Sequence, residues 1–435
     1  MNKAIQKQRI LFISGLFSTD RILQYFEKKG LFNGLEVEIW SQNNEELHKN
    51  SALPITYYSL DKRYGKRSIS RKVRQWYDQQ FDHKHYSFFR RVTRNPQKPF
   101  LQLPTAKSDK LAKWGYQYFA FDKLFKSDFD RFHPNVVVMM WPYDMSNINV
   151  AAYAKRKGVK TVAFITGFDN ISTKSRIPTL YDEVFVWSTS MKKEFLDWYP
   201  SFAEHQIKIV GAPQFDALVD PDFQFEKETF FKTFQLDHTK RVLLFCVGSP
   251  NLLNEIETFV QLYNKGLFDS FQIILRLHPG FRYEKSVIKE LQAMPNVVLQ
   301  SYNEHPEKHA FQTVEQIKEW ASTFKYIDVL VNSSSTVCLD AAIFRKPVIN
   351  LDFELDKDGN LVNGQLTEMN QQWFHLKKML KHSCITKTKD CDELEKALEA
   401  VGNENNCDEL LNDFFDRTIG HSSKLFMDKL ISDER

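Results

Sequence analysis

The stretch Asp328-Val329-Leu330-Val331-Asn332-Ser333-Ser334-Ser335-Thr336-Val337-Cys338-Leu339-Asp340 decides the fold class. Its apolar opening is short and continuous, the pattern of a strand covered on both faces of a parallel sheet. Four hydroxyl residues follow, Ser333, Ser334, Ser335 and Thr336, and a helical run begins at Val337. A helix N-terminus presents free N–H groups and a partial positive charge, so hydroxyls there either cap the helix or hold an anion such as phosphate. Capping needs a single hydroxyl, and this run supplies more. Asp340 lies one helical turn past Thr336, where a carboxylate can bond a ribose or sugar hydroxyl.

Outward from this stretch the same rhythm repeats. Strand-like runs at 242–247, 271–277, 297–299 and 347–351 alternate with helical runs at 254–263, 285–293, 314–324 and 337–344. The run at 271–277 leads into Arg276-Leu277-His278-Pro279-Gly280. Arg276 and His278 are two apart, so an extended chain puts them on one face. A guanidinium forks onto phosphate oxygens, and an imidazole can donate to one or to a leaving oxygen. The competing account pairs Arg276 with a helix carboxylate and leaves His278 to finish the strand. In Cys246-Val247-Gly248-Ser249-Pro250, Gly248 permits close backbone approach to a ligand, with Ser249 beside it. The chain carries neither GxGxxG nor a Walker loop, which disfavours dinucleotide oxidoreductases and P-loop NTPases.

The first half has strand-like runs at 9–14, 36–40, 135–141, 160–165, 183–187 and 206–211, with Gly15 behind the first of them. A basic, aromatic stretch at about 60–125 interrupts the pattern and reads as a helical insert, because strand-like runs are missing there. Within residues 62–98, twelve Lys and Arg face only Asp78 and Asp82, with rings interleaved. That mixture suits anionic phosphates or an anionic leaflet, or else a solvated helical face over a core stripe. No DNA or RNA motif accompanies it, so nucleic acid is not expected. The loop Phe164-Ile165-Thr166-Gly167-Phe168-Asp169-Asn170-Ile171-Ser172-Thr173-Lys174 offers Asp169 as a general base on an acceptor hydroxyl and Lys174 as a phosphate partner. Alternatively Asp169 and Asn170 build an Asx turn.

Length and composition set bounds. The chain has 435 residues, 42% hydrophobic and 26% charged, as expected of a globular protein with two or more domains. The expected division is a first, acceptor-side Rossmann-like domain at 1–219, a linker at 220–240, a nucleotide-donor domain at 241–410, and a C-terminal helix at 411–435 that crosses back to the first domain. The five cysteines have no CxxC spacing, which argues against a zinc site or a disulfide framework. The triplets Asp128-Phe129-Asp130 and Asp220-Pro221-Asp222 do not follow strands, so neither a metal nor a cofactor is expected. No signal-peptide core is present and no apolar stretch nears the roughly 20 residues of a spanning helix. A cytoplasmic location follows, with peripheral contact at the inner face of the cell membrane open to it.

Taken together, these residues resemble a family. The two α/β halves, Arg276-Leu277-His278-Pro279, and the Ser334-Ser335-Thr336 run with Asp340 ahead of Arg345-Lys346-Pro347-Val348-Ile349 are similar to the GT-B glycosyltransferase-like proteins. Within that group they resemble the CDP-glycerol glycerophosphotransferases and related surface-polysaccharide transferases. Trp187-Ser188-Thr189-Ser190-Met191-Lys192 with Val210-Gly211-Ala212-Pro213-Gln214-Phe215-Asp216 resembles the end of the family's acceptor half. Phe168-Asp169-Asn170-Ile171-Ser172 resembles a Trp-Asp-Asn loop of some surface-carbohydrate members, and Gly420-His421-Ser422-Ser423 their closing loop. The likeness covers about 130–352 and the C-terminal tail.

The resemblance implies two doubly wound Rossmann-like domains facing across a cleft. A nucleotide-activated donor would be held by Gly248, Ser249, Arg276, His278, Pro279, Ser333, Ser334, Ser335, Thr336 and Asp340. Gly15, Asn170 and Lys174 would lie on the acceptor side. The family's Trp-His-Gly-Thr loop is replaced here by Ile165-Thr166-Gly167-Phe168, so its histidine base is missing and Asp169 takes that place beside His278 as the catalytic pair. The implied activity is metal-independent transfer of a sugar to a surface-glycan or lipid-linked acceptor. A glycerol- or ribitol-phosphate transferase, a sugar-nucleotide epimerase and a catalytically silent glycan-binding protein are the alternatives.

Overall fold

The computed structural model describes residues 7–15, 17–41, 54–57, 73, 105–119, 125–248, 253–278, 281–300, 313–362, 364–402 and 405–432. Its contacts divide the chain into two compact units, one of Met1–Asp216 with Phe414–Arg435, the other of Ala217–Asp413.

In the first unit seven strands form one parallel sheet. They are β1 (Arg9–Ile13), β2 (Glu36–Ser41), β3 (Ile55–Tyr57), β4 (Val136–Met139), β5 (Lys160–Phe164), β6 (Glu183–Val186) and β7 (Ile207–Ile209). Their order is β3-β2-β1-β4-β5-β6-β7. Every residue of β4 is buried, which explains its unbroken Val-Val-Val-Met run: helices cover both faces of the sheet. The helices of this unit are α1 (Phe17–Lys28), α2 (Thr105–Phe119), α3 (Lys126–Phe132), α4 (Met145–Arg156), α5 (Asn170–Thr173) and α6 (Thr189–Trp198). Side chains fix their starts. Asp144 accepts from the Ser146 N–H at 2.9 Å to cap α4, and Ser188 accepts from Met191 at 3.3 Å to cap α6.

Of the insert expected at about 60–125, Val73 and α2 are described and helical and Phe125 lies in a turn, while all the basic residues of 62–98 lie outside the described residues. On α2, Leu111, Trp114 and Tyr118 stay 47%, 58% and 68% exposed. Asp128 and Asp130 fall inside α3, where Asp130 accepts from the Tyr153 hydroxyl at 2.9 Å.

The C-terminal helix Ser422–Ser432 belongs to this unit and drives Phe426 between Phe26, Phe164 and Phe185, at 5.5, 5.3 and 5.1 Å between ring centres. Its start is tied by the buried Asp216, whose carboxylate accepts from the Gly420 N–H at 2.8 Å and the Ser423 N–H at 2.6 Å. Gly211, with φ of +75°, lets the chain pass here, since a Cβ would overlap Ser422.

The second unit holds a six-stranded parallel sheet of β8 (Arg241–Cys246), β9 (Phe271–Arg276), β10 (Val297–Leu299), β11 (Val329–Asn332), β12 (Val348–Leu351) and, after the short hairpin of β13 (Glu354–Leu355) and β14 (Leu361–Val362), β15 (Ile385–Thr388). The order is β10-β9-β8-β11-β12-β15. Its helices are α7 (Lys227–Thr233), α8 (Glu255–Asn264), α9 (Lys285–Gln292), α10 (Val314–Tyr326), α11 (Val337–Ile343), α12 (Gln365–Gln372), α13 (Phe374–Leu380) and α14 (Cys391–Glu399). Both sheets thus have the doubly wound order, with winding reversed between β1 and β4 in one and between β8 and β11 in the other. The edge strands β3 and β15 went unread in the sequence, and β15 shows why. Its burial alternates only weakly, with Thr386 and Lys387 both exposed.

Replacing Asp216 with Ala removes the acceptor for two N–H groups at the start of the C-terminal helix. The expected loss is about 1–3 kcal/mol of unfolding free energy, read as a lower urea midpoint at unchanged slope.

Candidate functional site

In the second unit the reversal of winding lies at the carboxyl ends of β8 and β11, where open sheets of this kind bind ligands. Cys246 pairs with Asn332 across these strands and with Arg276 of β9 on the other side. This register gathers Gly248, Arg276 and the 333–336 loop at one edge. A Cβ on Gly248 would lie 3.7 Å from the Ser333 carbonyl and 3.7 Å from Ser335 Cβ.

Arg276 ends β9. Its Nη1 donates to Gln300 Oε1 at 2.9 Å, and its guanidinium lies 5.0 Å over the Trp320 ring. Gln300 is itself held by donating to Thr323 Oγ1 at 3.0 Å. The helix carboxylate that the sequence allowed as a partner is not there, since among the described residues Arg276 makes no ion pair. Its charge therefore stays available. His278 is half-buried two residues on, its ring 4.8 Å from Phe281, and its backbone N–H donates to the Tyr283 hydroxyl at 3.0 Å. Burial first, and the Arg276 charge second, hold the imidazole below its ordinary value of 6.5. At neutral pH it is an uncharged group with one donor and one acceptor nitrogen.

The hydroxyl loop is built differently from the simple phosphate cradle expected. Ser334 takes a left-handed conformation, φ of +57°, which a non-glycine residue adopts only when its surroundings hold it there. Two asparagines do so: the Ser334 N–H donates to Asn350 Oδ1 at 2.8 Å, and its hydroxyl donates to Asn370. Asn370 in turn donates to Asp352 Oδ1 at 2.8 Å. Asn332, fully buried at the strand end, accepts from the Ser335 N–H at 2.9 Å. Ser334 is thus a structural element of the loop, not a free hydroxyl. Thr336, which occupies the N-cap position of α11, makes no side-chain cap and is exposed.

Two further expectations change. The Gly248 N–H, expected to approach a ligand, donates to both carboxylate oxygens of Glu255 at 2.9 Å. Asp340 is only 4% exposed, inside the unit near Cys246 and Cys338, where its charge helps burial push both thiols up to about 12. A sugar hydroxyl would not reach it without rearrangement. Ser249 and Pro279 lie outside the described residues. Glu255, Gln300, Trp320, Asn350 and Asn370 were missed in the sequence.

The first unit has its own strand-end cluster. Gly15 follows β1, and a Cβ there would stand 3.0 Å from Trp141 Cβ, so the glycine allows the ends of β1 and β4 to meet. Lys174 Nζ lies 5.7 Å over the Trp141 ring. Asp169 sits at the start of α5, where Oδ1 accepts from Asn170 Nδ2 at 3.1 Å and Oδ2 from the Thr173 hydroxyl at 3.0 Å. Asn170 also accepts from the Gly167 N–H at 2.8 Å. The loop is therefore self-bonded, as in the Asx alternative, while bringing Asp169, Asn170 and Lys174 to the strand ends. Tyr143, unnoticed in the sequence, is buried beyond β4, and its hydroxyl has no hydrogen-bond partner among the described residues. Burial first, then nearby groups including Asp169, raise this phenol well above 10.0, so it stays a donor.

Among the described residues no group of three or more His, Cys, Asp or Glu is placed to hold a metal ion. Asp220 instead accepts from the Asp222 N–H at 3.0 Å in its own turn.

Two doubly wound parallel sheets in one chain define an α/β protein of two Rossmann-like domains, the GT-B type of fold. No sequence family and no curated protein matches the chain. Among solved structures, a UDP-GlcNAc 2-epimerase from Neisseria meningitidis bound to UDP-GlcNAc superposes with a TM-score of 0.53 at 12% identity, over 98% of this chain and 100% of that one. A putative UDP-N-acetylglucosamine 2-epimerase from Listeria monocytogenes gives 0.52 at 11% identity, over 99% and 98%. A glycosyltransferase from Rickettsia africae gives 0.48 at 11% identity, over 99% and 100%. At these identities the likeness is one of fold.

The state of His278 can be measured directly. Its folded pKa lies below 6.5, so folding favours the neutral ring. That contribution to stability is complete above pH 6.5 and is lost as pH falls through the depressed value. An NMR titration of the ring should give a midpoint below 6.5, and Arg276→Gln should move it upward only in part, because burial is the larger cause. A midpoint indifferent to Arg276→Gln would show that the two groups do not interact.

Proposed function

We propose that the chain transfers a glycosyl group from a nucleotide-activated donor to a surface-glycan or lipid-linked acceptor. The observation that carries this reading is Arg276: a guanidinium held by neutral Gln300 and stacked on Trp320, at the carboxyl end of β9, beside a neutral His278. In this reading the arginine takes the charge of the donor diphosphate. The neutral imidazole donates to the leaving oxygen as the bond to the anomeric carbon breaks. The electron pair leaves with the nucleoside diphosphate, and the acceptor oxygen forms the new bond. Its proton passes to Asp169, whose oxygens each keep acceptor capacity beyond the bonds from Asn170 and Thr173.

A lipid-linked acceptor is favoured by α2. Lys107, Leu111, Trp114 and Tyr118 recur at helical spacing along one stripe, and the three apolar members are exposed. Trp114 and Tyr118 stack at 5.4 Å. Exposed aromatics next to lysine match the chemistry of an anionic bilayer surface.

Calorimetry with UDP, CDP and their sugars tests the donor. Binding should weaken about tenfold or more in Arg276→Gln, as for loss of a charge-assisted contact. No binding to the wild-type chain would end the proposal. Asp169→Asn should lower kcat by about a hundredfold with donor affinity unchanged. Turnover that survives this change would remove Asp169 as the base, and an isomerised donor with no transfer product would point to an epimerase. Vesicles containing phosphatidylglycerol should sediment the wild-type chain at low salt, less so at high salt, and Trp114→Ser/Tyr118→Ser should reduce the bound fraction.

A further inference from the structure

The second unit has a cavity at the end of its sheet opposite the strand-end site. Its volume is about 430 Å³, in the range that encloses small molecules. Arg241, the first residue of β8, lines it, together with Asp328 just before β11 and Lys346 just before β12. Lys227 and Phe231 of α7 and Lys325 at the end of α10 complete the main walls, with His238 and Lys240 contributed by the turn into β8.

The charge of this lining is one-sided. Five fixed cations, Lys227, Lys240, Arg241, Lys325 and Lys346, stand against one carboxylate, Asp328. That carboxylate is engaged, since its Oδ2 accepts from the Val242 N–H at 2.6 Å. The neighbouring Asp237 accepts from both the N–H and the hydroxyl of Thr239, at 2.9 and 2.7 Å.

Neutral groups meet three of the cations, Arg241, Lys325 and Lys227, while the neighbouring Asp237 carboxyl is held below its ordinary value by its Thr239 hydrogen bonds first and then by Lys240 with His238. Arg241 lies 4.6 Å over the Phe271 ring and donates to the Val401 carbonyl at 3.3 Å. Lys325 donates to Gln224 Oε1 at 2.7 Å and lies over Tyr326, and Lys227 lies 5.7 Å over Phe231. Among the described residues none of Lys227, Lys240, Arg241 and Lys325 is in a salt bridge.

Helix dipoles do not account for the arrangement. The carboxyl ends of helices in a parallel α/β unit point toward the amino ends of its strands and attract cations there, which suffices for Lys325 in the last turn of α10. Lys227 opens α7 instead, the end of a helix where a positive charge is disfavoured. Lys240 lies in a turn, outside any helix. Holding like charges around one concavity costs repulsion unless an anion relieves it.

We infer that this cavity binds a phosphate-bearing anion, separately from the strand-end site built around Arg276. The aromatic walls of Phe231 and Tyr326 give it a partly apolar side, and the amine and guanidinium groups supply donors for phosphate oxygens. The inference stands whatever reaction the chain performs, because no residue of the cavity belongs to the proposed transfer site.

The test is calorimetry of the full chain with inorganic pyrophosphate, using Lys227→Gln/Lys240→Gln and, separately, Arg276→Gln. Both lysines are exposed, and an unchanged melting temperature would confirm that the double variant folds. The expected result is saturable binding by the wild type, weakened about tenfold or more in Lys227→Gln/Lys240→Gln and kept within about twofold in Arg276→Gln. No saturable binding, or a loss confined to Arg276→Gln, would overturn the inference, as would equal binding of sulfate at matched ionic strength. A second arm separates the sources of the phosphate. If phosphatidic acid vesicles, and not phosphatidylcholine ones, sediment the wild type through the same two lysines and compete with pyrophosphate, the anion is a lipid headgroup. If pyrophosphate alone binds there, it is a soluble phosphate compound.

Discussion

Parallel pairing of β8 with β11 is the constraint on which the second unit's site depends. These strands come from distant parts of the chain, and the pairing of Leu243 with Val329 through Cys246 with Asn332 fixes where both end. Because winding reverses at this pair, the segments leaving the two strand ends diverge toward opposite faces of the sheet. A one-residue slip would turn each side chain of a strand to the other face and undo the burial of all four residues of β11. Arg276 inherits its place from the same frame, since β9 pairs with β8 through Cys246 and Arg276. Gln300 follows from β10, whose end is tied when the Gln300 N–H donates to the Leu275 carbonyl at 2.9 Å.

Strands buried on both faces announce themselves, and this made the fold legible. The runs at β4, β5, β8, β9 and β11 are near-continuous apolar segments, and the helical runs read at 254–263, 285–293, 314–324 and 337–344 matched the observed elements to within one or two residues. The place of the candidate site was read on the same basis, because strand ends are where polar residues abruptly follow apolar ones. The roles of individual residues were less so. Ser333 to Thr336 look alike in sequence, yet Ser334 is fixed by Asn350 and Asn370, one from the next strand and one from a helix beyond it. Gly248 carries no hint that Glu255 will take its N–H. Local pattern reports burial and backbone shape, whereas hydrogen-bond partners arrive from segments that only the tertiary fold brings near.

The chemistry at Arg276 turns on what kind of group holds it. A carboxylate partner would fix the guanidinium and also neutralise it. Gln300 and Trp320 fix it and leave the charge whole. The consequence falls on His278, which cannot readily become a second cation in a half-buried position near the first. The two residues thereby divide the labour that the sequence assigned to both: one supplies fixed charge, the other a neutral donor or acceptor.

The first unit meets a related demand by another route. A base that moves freely spends little time aligned with its substrate, whereas one locked by strong donors on every lone pair has nowhere to take a proton. Asp169 lies between these limits, with one side-chain donor on each oxygen, both from its own short helix. Those bonds select a rotamer without closing the carboxylate to a further partner. Close by, burial keeps Tyr143 protonated, so the phenol can give a hydrogen bond but cannot compete for the proton that Asp169 would take. The self-bonded turn and the base are therefore compatible descriptions of the same loop: the turn is what would hold the base in position.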